Sequence, residues 1–111
     1  MMVALFLALT GFYTANQGEV AAAIELSDDG KFAYSLDYGA VSEIAEGTWV
    51  DEGGKIYLTT VKSTAPYRQA AFTREPLTLD GERLVLRRYD IEIRFNRDDS
   101  LPTPPNRNTK L

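Results

Sequence analysis

The chain has 111 residues, enough for one domain with a modest core and no covalent staples. It has no cysteine and no histidine, which excludes thiol catalysis, zinc held through Cys, lipid attachment through Cys and His-based triads. The net charge of −4 argues against nucleic acid, whose phosphates call for concentrated positive charge. Residues 1–62 carry nine acidic and three basic side chains, and residues 63–111 carry seven and nine. Two halves that neutralise each other around a closed sheet account for this asymmetry without an anion site.

Residues 1–10 open with MMVALFLAL, an uninterrupted apolar run too short to span a bilayer. It can be a first strand, or a secretory h-region whose positive start is missing. The lack of period-two alternation favours the second. A periplasmic or secreted protein whose mature chain begins near Gly11 is then expected.

Gly11-Phe12-Tyr13 enters the first strand, and Asn16-Gln17-Gly18 turns it. Val20 to Thr60 reads as four strands joined by tight turns. In the first hairpin of that stretch, a three-residue Asp28-Asp29-Gly30 loop pairs Leu26 with Phe32, Ile24 with Tyr34, Ala22 with Leu36 and Val20 with Tyr38. That register collects one clean apolar face, whereas a one-residue slip mixes the faces. Gly39 bends the next connection, and Val41 to Ala45 allows a brief helix before Glu46-Gly47-Thr48-Trp49 returns to strand. Asp51-Glu52-Gly53-Gly54 closes the following hairpin as a four-residue loop, which sets Trp49 opposite Ile56 and Gly47 opposite Leu58. A large indole beside a glycine suggests a ring lying over bare backbone.

Lys62 to Arg68 is irregular, and Gln69 to Arg74 is expected as a short strand. Pro76 forces an edge or a bulge. Leu77 and Leu79 then meet Leu84 and Leu86 across Asp80-Gly81. A last turn at Arg88-Tyr89 leads into Ile91, Ile93 and Phe95, facing inward, with Asp90, Glu92 and Arg94 outward. This register sets Arg83 against Arg94, an unfavourable pair. Residues 98–111 are polar with three prolines and read as a disordered tail. The expected fold is all-β: an antiparallel up-and-down meander of about eight short strands over residues 11–97, closed into a barrel. A β-sandwich is the alternative.

The Gly11-Phe12-Tyr13 start, the DDGKFAY turn, the EGTW strand and the GGKIYLT return together resemble small bacterial lipocalin-like (calycin) barrels. The resemblance covers residues 11–95 at the level of pattern and implies an envelope barrel. It is similar in feel to the N-terminal barrel of a copper-responsive envelope lipoprotein. The absence of that family's cysteines removes metal sensing and lipid anchoring from what it implies.

Asp37, Glu43 and Glu46 around the Tyr38-Gly39 bend are the most tempting polar cluster, since paired carboxylates serve acid–base work or calcium. Surface carboxylates on a turn are the plainer reading. The Asp-Gly loops lack further spaced ligands and read as turns. Arg87-Arg88, with Arg83 and Arg94, is diluted by Glu82, Asp90 and Glu92 and reads as a solvated face. The candidate ligand-binding residues, inside the barrel or at its mouth, are Phe32, Tyr34, Tyr38, Trp49 and Phe72. Core packing competes with that role at each of them. Short strands make a shallow barrel, which favours a filled interior.

These readings lead to a non-catalytic envelope barrel that binds a small apolar ligand or a protein partner. A monomer without cofactor, metal, nucleic acid or membrane span is expected. An inhibitor module of the periplasmic protease-inhibitor type is the alternative, and a carboxylate-dependent enzyme comes third.

Overall fold

The computed structural model describes residues 9–61 and 70–100. Residues 1–8, 62–69 and 101–111, where an apolar start, an irregular stretch and most of a disordered tail were expected, lie outside the described residues. Eight antiparallel strands follow one another in chain order: β1 (Gly11–Gln17), β2 (Val20–Leu26), β3 (Lys31–Tyr38), β4 (Val41–Glu52), β5 (Lys55–Thr60), β6 (Glu75–Asp80), β7 (Arg83–Arg88) and β8 (Ile91–Arg97). Each strand pairs with the next, and β1 pairs with β8, so the meander closes into a barrel. Closure gives every strand a neighbour on both sides.

The β2–β3 hairpin has the register that the apolar face demands, from Leu26↔Phe32 to Val20↔Tyr38. Its three-residue loop ends on Gly30 at φ 82°, a left-handed residue that lets Ser27 and Lys31 close the loop. The β4–β5 hairpin differs from expectation. Its loop is the two-residue Gly53-Gly54, with φ of 65° and 84°, as a type I′ turn requires. Asp51 and Glu52 remain in the strand, so Trp49 faces Leu58 and Gly47 faces Thr60. The two-residue shift keeps every side chain on its expected face. Gly47 lets β5 approach closely: a Cβ there would lie 1.9 Å from the Thr59 carbonyl oxygen.

The β1–β2 turn is also shorter than expected, and the β6–β7 and β7–β8 turns keep two residues but sit one residue later. Gly18-Glu19 joins β1 to β2, Gly81-Glu82 joins β6 to β7, and Tyr89-Asp90 joins β7 to β8. The last of these sets Arg87 opposite Glu92 and Val85 opposite Arg94, which removes the Arg83–Arg94 clash. Val41–Ala45 is strand and not helix, because its pairing with β3 runs unbroken from Tyr38↔Val41 to Lys31↔Thr48. Ala70 to Arg74 is not a strand. Side-chain and backbone bonds to Thr60 hold it instead. Pro76 pairs with Tyr57 of β5, at the part of β6 that the β7 ladder does not reach.

Alternate residues of all strands point inward. Ile24, Leu26, Leu36, Ile56, Leu58, Leu77, Leu84, Leu86, Ile93 and Phe95 are at most 1% exposed. They form one close-packed core. The barrel has two ends. The lower end carries Leu9, the β2–β3, β4–β5 and β6–β7 turns, and the exit of β8. The upper end carries the β1–β2, β3–β4 and β7–β8 turns and the Ala70–Phe72 segment.

Candidate functional site

At the upper end β4 outruns β5. Its pairing with β5 begins only at Gly47, while Val41 to Glu46 pair with β3 alone. Strand alternation points Glu43 inward on this overhang, where it is 2% exposed. A carboxylate there demands compensation. Arg88, the last residue of β7, reaches it from another wall of the barrel. Its Nε donates to Oε1 at 2.8 Å and its Nη2 to Oε2 at 2.9 Å. The Tyr34 hydroxyl donates to Oε1 at 2.8 Å, and the Tyr89 hydroxyl donates to Oε2 at 2.9 Å. Each oxygen thus accepts two bonds, the arrangement that makes a buried ion pair tolerable.

Burial alone would push the Glu43 carboxyl up. The bonds from Arg88, Tyr34 and Tyr89 outweigh it and hold the group below the usual carboxylate range. Burial, then the bond to Glu43, drive the Tyr34 phenol far above its ordinary value. The same carboxylate raises Arg88 further.

Aromatic rings frame the pair. The Arg88 guanidinium lies 5.2 Å from the Phe72 ring centroid and 5.1 Å from that of Tyr89. Phe72 meets Tyr34 edge-on at 5.0 Å. Thr60 sets Phe72 in place: its amide donates to the Phe72 carbonyl, and its hydroxyl accepts from the Phe72 amide while donating to the Ala70 carbonyl. The Ala70 amide donates to the Ile44 carbonyl, on the free side of the β4 overhang. At the rim, Tyr38 and Tyr89 meet edge-to-face at 6.1 Å. Tyr89 is 41% exposed although its hydroxyl is tied down. Tyr89 and Asp90 both take positive φ, 54° and 63°, which is unusual for a bulky residue and is held here by the Glu43 bond.

The lower end closes differently. Trp49 Nε1 donates to the Ser27 carbonyl at 3.0 Å. Arg97 donates to the Thr10 carbonyl at 2.7 Å and to the Tyr13 hydroxyl at 2.9 Å, and Tyr13 donates in turn to the Leu9 carbonyl at 2.7 Å. Gly11 makes room: a Cβ there would lie 2.5 Å from Arg97 Nη1.

Phe32, Tyr34 and Phe72 are a contiguous buried group, Trp49 joins the same core lower down, on the strand paired with Phe32, and Tyr38 stands half-buried at the upper rim. Asp37, Glu43 and Glu46 do not converge. Asp37, bonded to Ser42, and Glu46 are exposed on the outer wall, while Glu43 points in. Sequence reasoning missed the Glu43–Arg88 pair. Its signal was parity: Glu43 shares the inward phase of Ala45 and Trp49, and Arg88 that of Leu84 and Leu86. Two opposite charges in the inward phase near one end of a barrel are a pairing signal.

No protein family, no curated protein and no solved structure matches this chain. The eight-stranded antiparallel barrel stands on its own strand pairing.

Proposed function

We propose that this protein is a non-catalytic barrel of the bacterial envelope, lipocalin-like in kinship, that binds a small apolar ligand or a protein partner at its upper rim. The observation that carries the reading is the contrast between a sealed interior and a rim of Tyr38, Arg88 and Tyr89 held in fixed orientation. Tyrosine and arginine are the side chains that most often anchor interfaces, and fixing them beforehand lowers the entropy lost on binding. Phe32, Tyr34 and Phe72 support the rim from beneath. Export of a monomer to the periplasm or medium belongs to the same proposal. Leu9 and Thr10, tied to Tyr13 and Arg97, give no support to an inhibitor that inserts a free segment just ahead of Gly11.

The test is a titration of the folded protein with long-chain lipids, medium-length lipids and small aromatic molecules. Trp49, the sole tryptophan, reports on the interior from the lower end. Backbone amide resonances of Tyr38–Val41 and Arg88–Ile91 report on the rim. Unchanged Trp49 emission with saturable shifts at the rim is expected for small apolar molecules. Tight saturable quenching of Trp49 by a long-chain lipid would replace the rim with an interior cavity. A silent rim would leave the protein partner as the occupant to pursue.

A further inference from the structure

Arg88 has one edge engaged and one edge spare. Nε and Nη2 hold Glu43, while Nη1 donates to no described group and is not shut away from solvent. The side chain is 25% exposed. The Tyr38 hydroxyl likewise bonds to no described group, and its ring meets that of Tyr89. The upper rim thus offers N–H and O–H donors beside the exposed Tyr89 ring and the half-buried Tyr38 ring.

Charge decides what they accept. Glu43 already neutralises Arg88. Among the described residues Arg87 stands 3.9 Å from Glu92, and three further carboxylates belong to this end. Asp90 follows Tyr89 in the turn, Asp37 precedes Tyr38, and a Cβ on Gly39 would lie 3.5 Å from Glu19 Oε1. Among the described residues an anion approaching Nη1 meets a neutral pair and an acidic surround, so its extra charge brings no gain. A neutral carbonyl takes the same N–H and O–H donors without that repulsion.

Building on the rim reading, we propose that the upper mouth is a binding site for a neutral hydrogen-bond acceptor, an amide or ester carbonyl carried on a flat apolar body. The carbonyl oxygen accepts from Arg88 Nη1 and from the Tyr38 hydroxyl, and the apolar body lies against the Tyr38 and Tyr89 rings. Arg88 is preorganised for this by Glu43 on its engaged edge and by the flanking rings of Phe72 and Tyr89.

Four probes of similar shape separate the contributions: N-methylbenzamide, benzoate, benzylammonium and toluene. Each is titrated into the folded chain, with the Arg88 side-chain Nε–H and the Tyr38–Val41 and Arg88–Ile91 amides followed by NMR. N-methylbenzamide is expected to bind at the rim about tenfold tighter than benzoate or toluene. Tyr38→Phe, a half-buried position where folding is retained, is expected to weaken the amide about three- to tenfold, the worth of one hydrogen bond. Asp90→Asn keeps a residue that tolerates positive φ and is expected to strengthen benzoate alone, by about two- to threefold. Toluene binding as well as the amide would overturn the acceptor site and leave the rim reading standing. Benzoate or benzylammonium binding tighter than the amide would overturn the charge argument. Absence of rim shifts with all four probes would overturn both this proposal and the small-ligand form of the rim reading.

Discussion

The two ends of the barrel solve one problem with different chemistry. Each closes with an arginine and at least one tyrosine hydroxyl in a shared hydrogen-bond network. At the lower end Arg97 donates to a backbone carbonyl and a phenol, and Trp49 plugs the opening. At the upper end Arg88 donates to Glu43, an ionised carboxylate in the core. Neutral acceptors and an indole hold their strength into acid. A buried carboxylate ties closure to its own charge. The upper end also keeps an exposed tyrosine and a spare guanidinium edge in contact with its seal, so a ligand at that rim would touch the network that holds the mouth shut.

The largest expected effects test that division. Trp49→Ala removes a fully buried ring at the lower end and should cost about 3–5 kcal/mol. Glu43→Ala strands the Arg88 charge at the upper end and should cost a similar 3–5 kcal/mol. Urea unfolding at neutral pH would give both. The comparison breaks if Glu43→Ala moves the midpoint by less than a fifth of what Trp49→Ala does, for then the upper pair contributes no net stability.

Acid should distinguish the ends next. The folded Glu43 carboxyl sits below its unfolded value, so its stabilisation is complete above the ordinary Glu pKa of about 4.3 and is lost as pH falls through the folded value. The Tyr34 phenol is raised, so its contribution is complete below about pH 10 and is lost above it. Thermal midpoints measured from neutral pH down to acid should therefore fall more steeply in the native chain and in Trp49→Ala than in Glu43→Gln. Equal acid slopes in all three would place the titration elsewhere.

The fold was legible in the sequence because parity is robust to small errors. In both the β4–β5 and β7–β8 hairpins the expected turn was misplaced, yet the register moved by two residues and every side chain kept its face. Turn placement failed by loop length at β4–β5 and by one residue of position at β7–β8. Gly53-Gly54 makes a two-residue turn on its own, and Tyr89-Asp90 adopts left-handed angles that their side chains disfavour. The latter could not be read locally, since the bond from Tyr89 to Glu43 joins residues 46 positions apart. The site was half legible. Tyr34, Tyr38 and Phe72 were named as candidates, but Glu43 was grouped with the outward Asp37 and Glu46, because a brief helix over Val41–Ala45 hid its inward phase. Ala70 to Phe72 was assigned to a strand although it is the Thr60 clamp that holds it.

Within the upper network, Tyr34→Phe deletes one bond to a buried charge and leaves the ring against Phe72. The expected loss is about 1.5–3 kcal/mol, below that of Glu43→Ala. Made in the Glu43→Ala background, the same change should cost little, because the hydroxyl no longer has its acceptor there. The pair forms a double-mutant cycle. Additive losses would mean that Tyr34 stabilises the barrel by packing alone, and would detach it from the upper seal.

The smallest expected effect concerns the seam where β1 meets β8, which again differs between the ends. Towards the lower end the backbone closes it, through Tyr13↔Arg97, Thr14↔Asn96 and the bond from the Asp98 amide to the Phe12 carbonyl. Towards the upper end a single side chain does so. Gln17 accepts from the Arg94 amide at 2.6 Å and donates to the Glu92 carbonyl at 3.0 Å, standing in for a strand residue. Both bonds are exposed, so Gln17→Ala should cost only about 0.5–1.5 kcal/mol globally. Its local signature should be clearer. The Arg94 amide loses its acceptor, and hydrogen exchange there should quicken while the Asp98 amide at the other end of the seam keeps its protection. Equal acceleration at both amides would show that the seam opens as one unit, and the contrast between the two ends would not extend to the barrel wall.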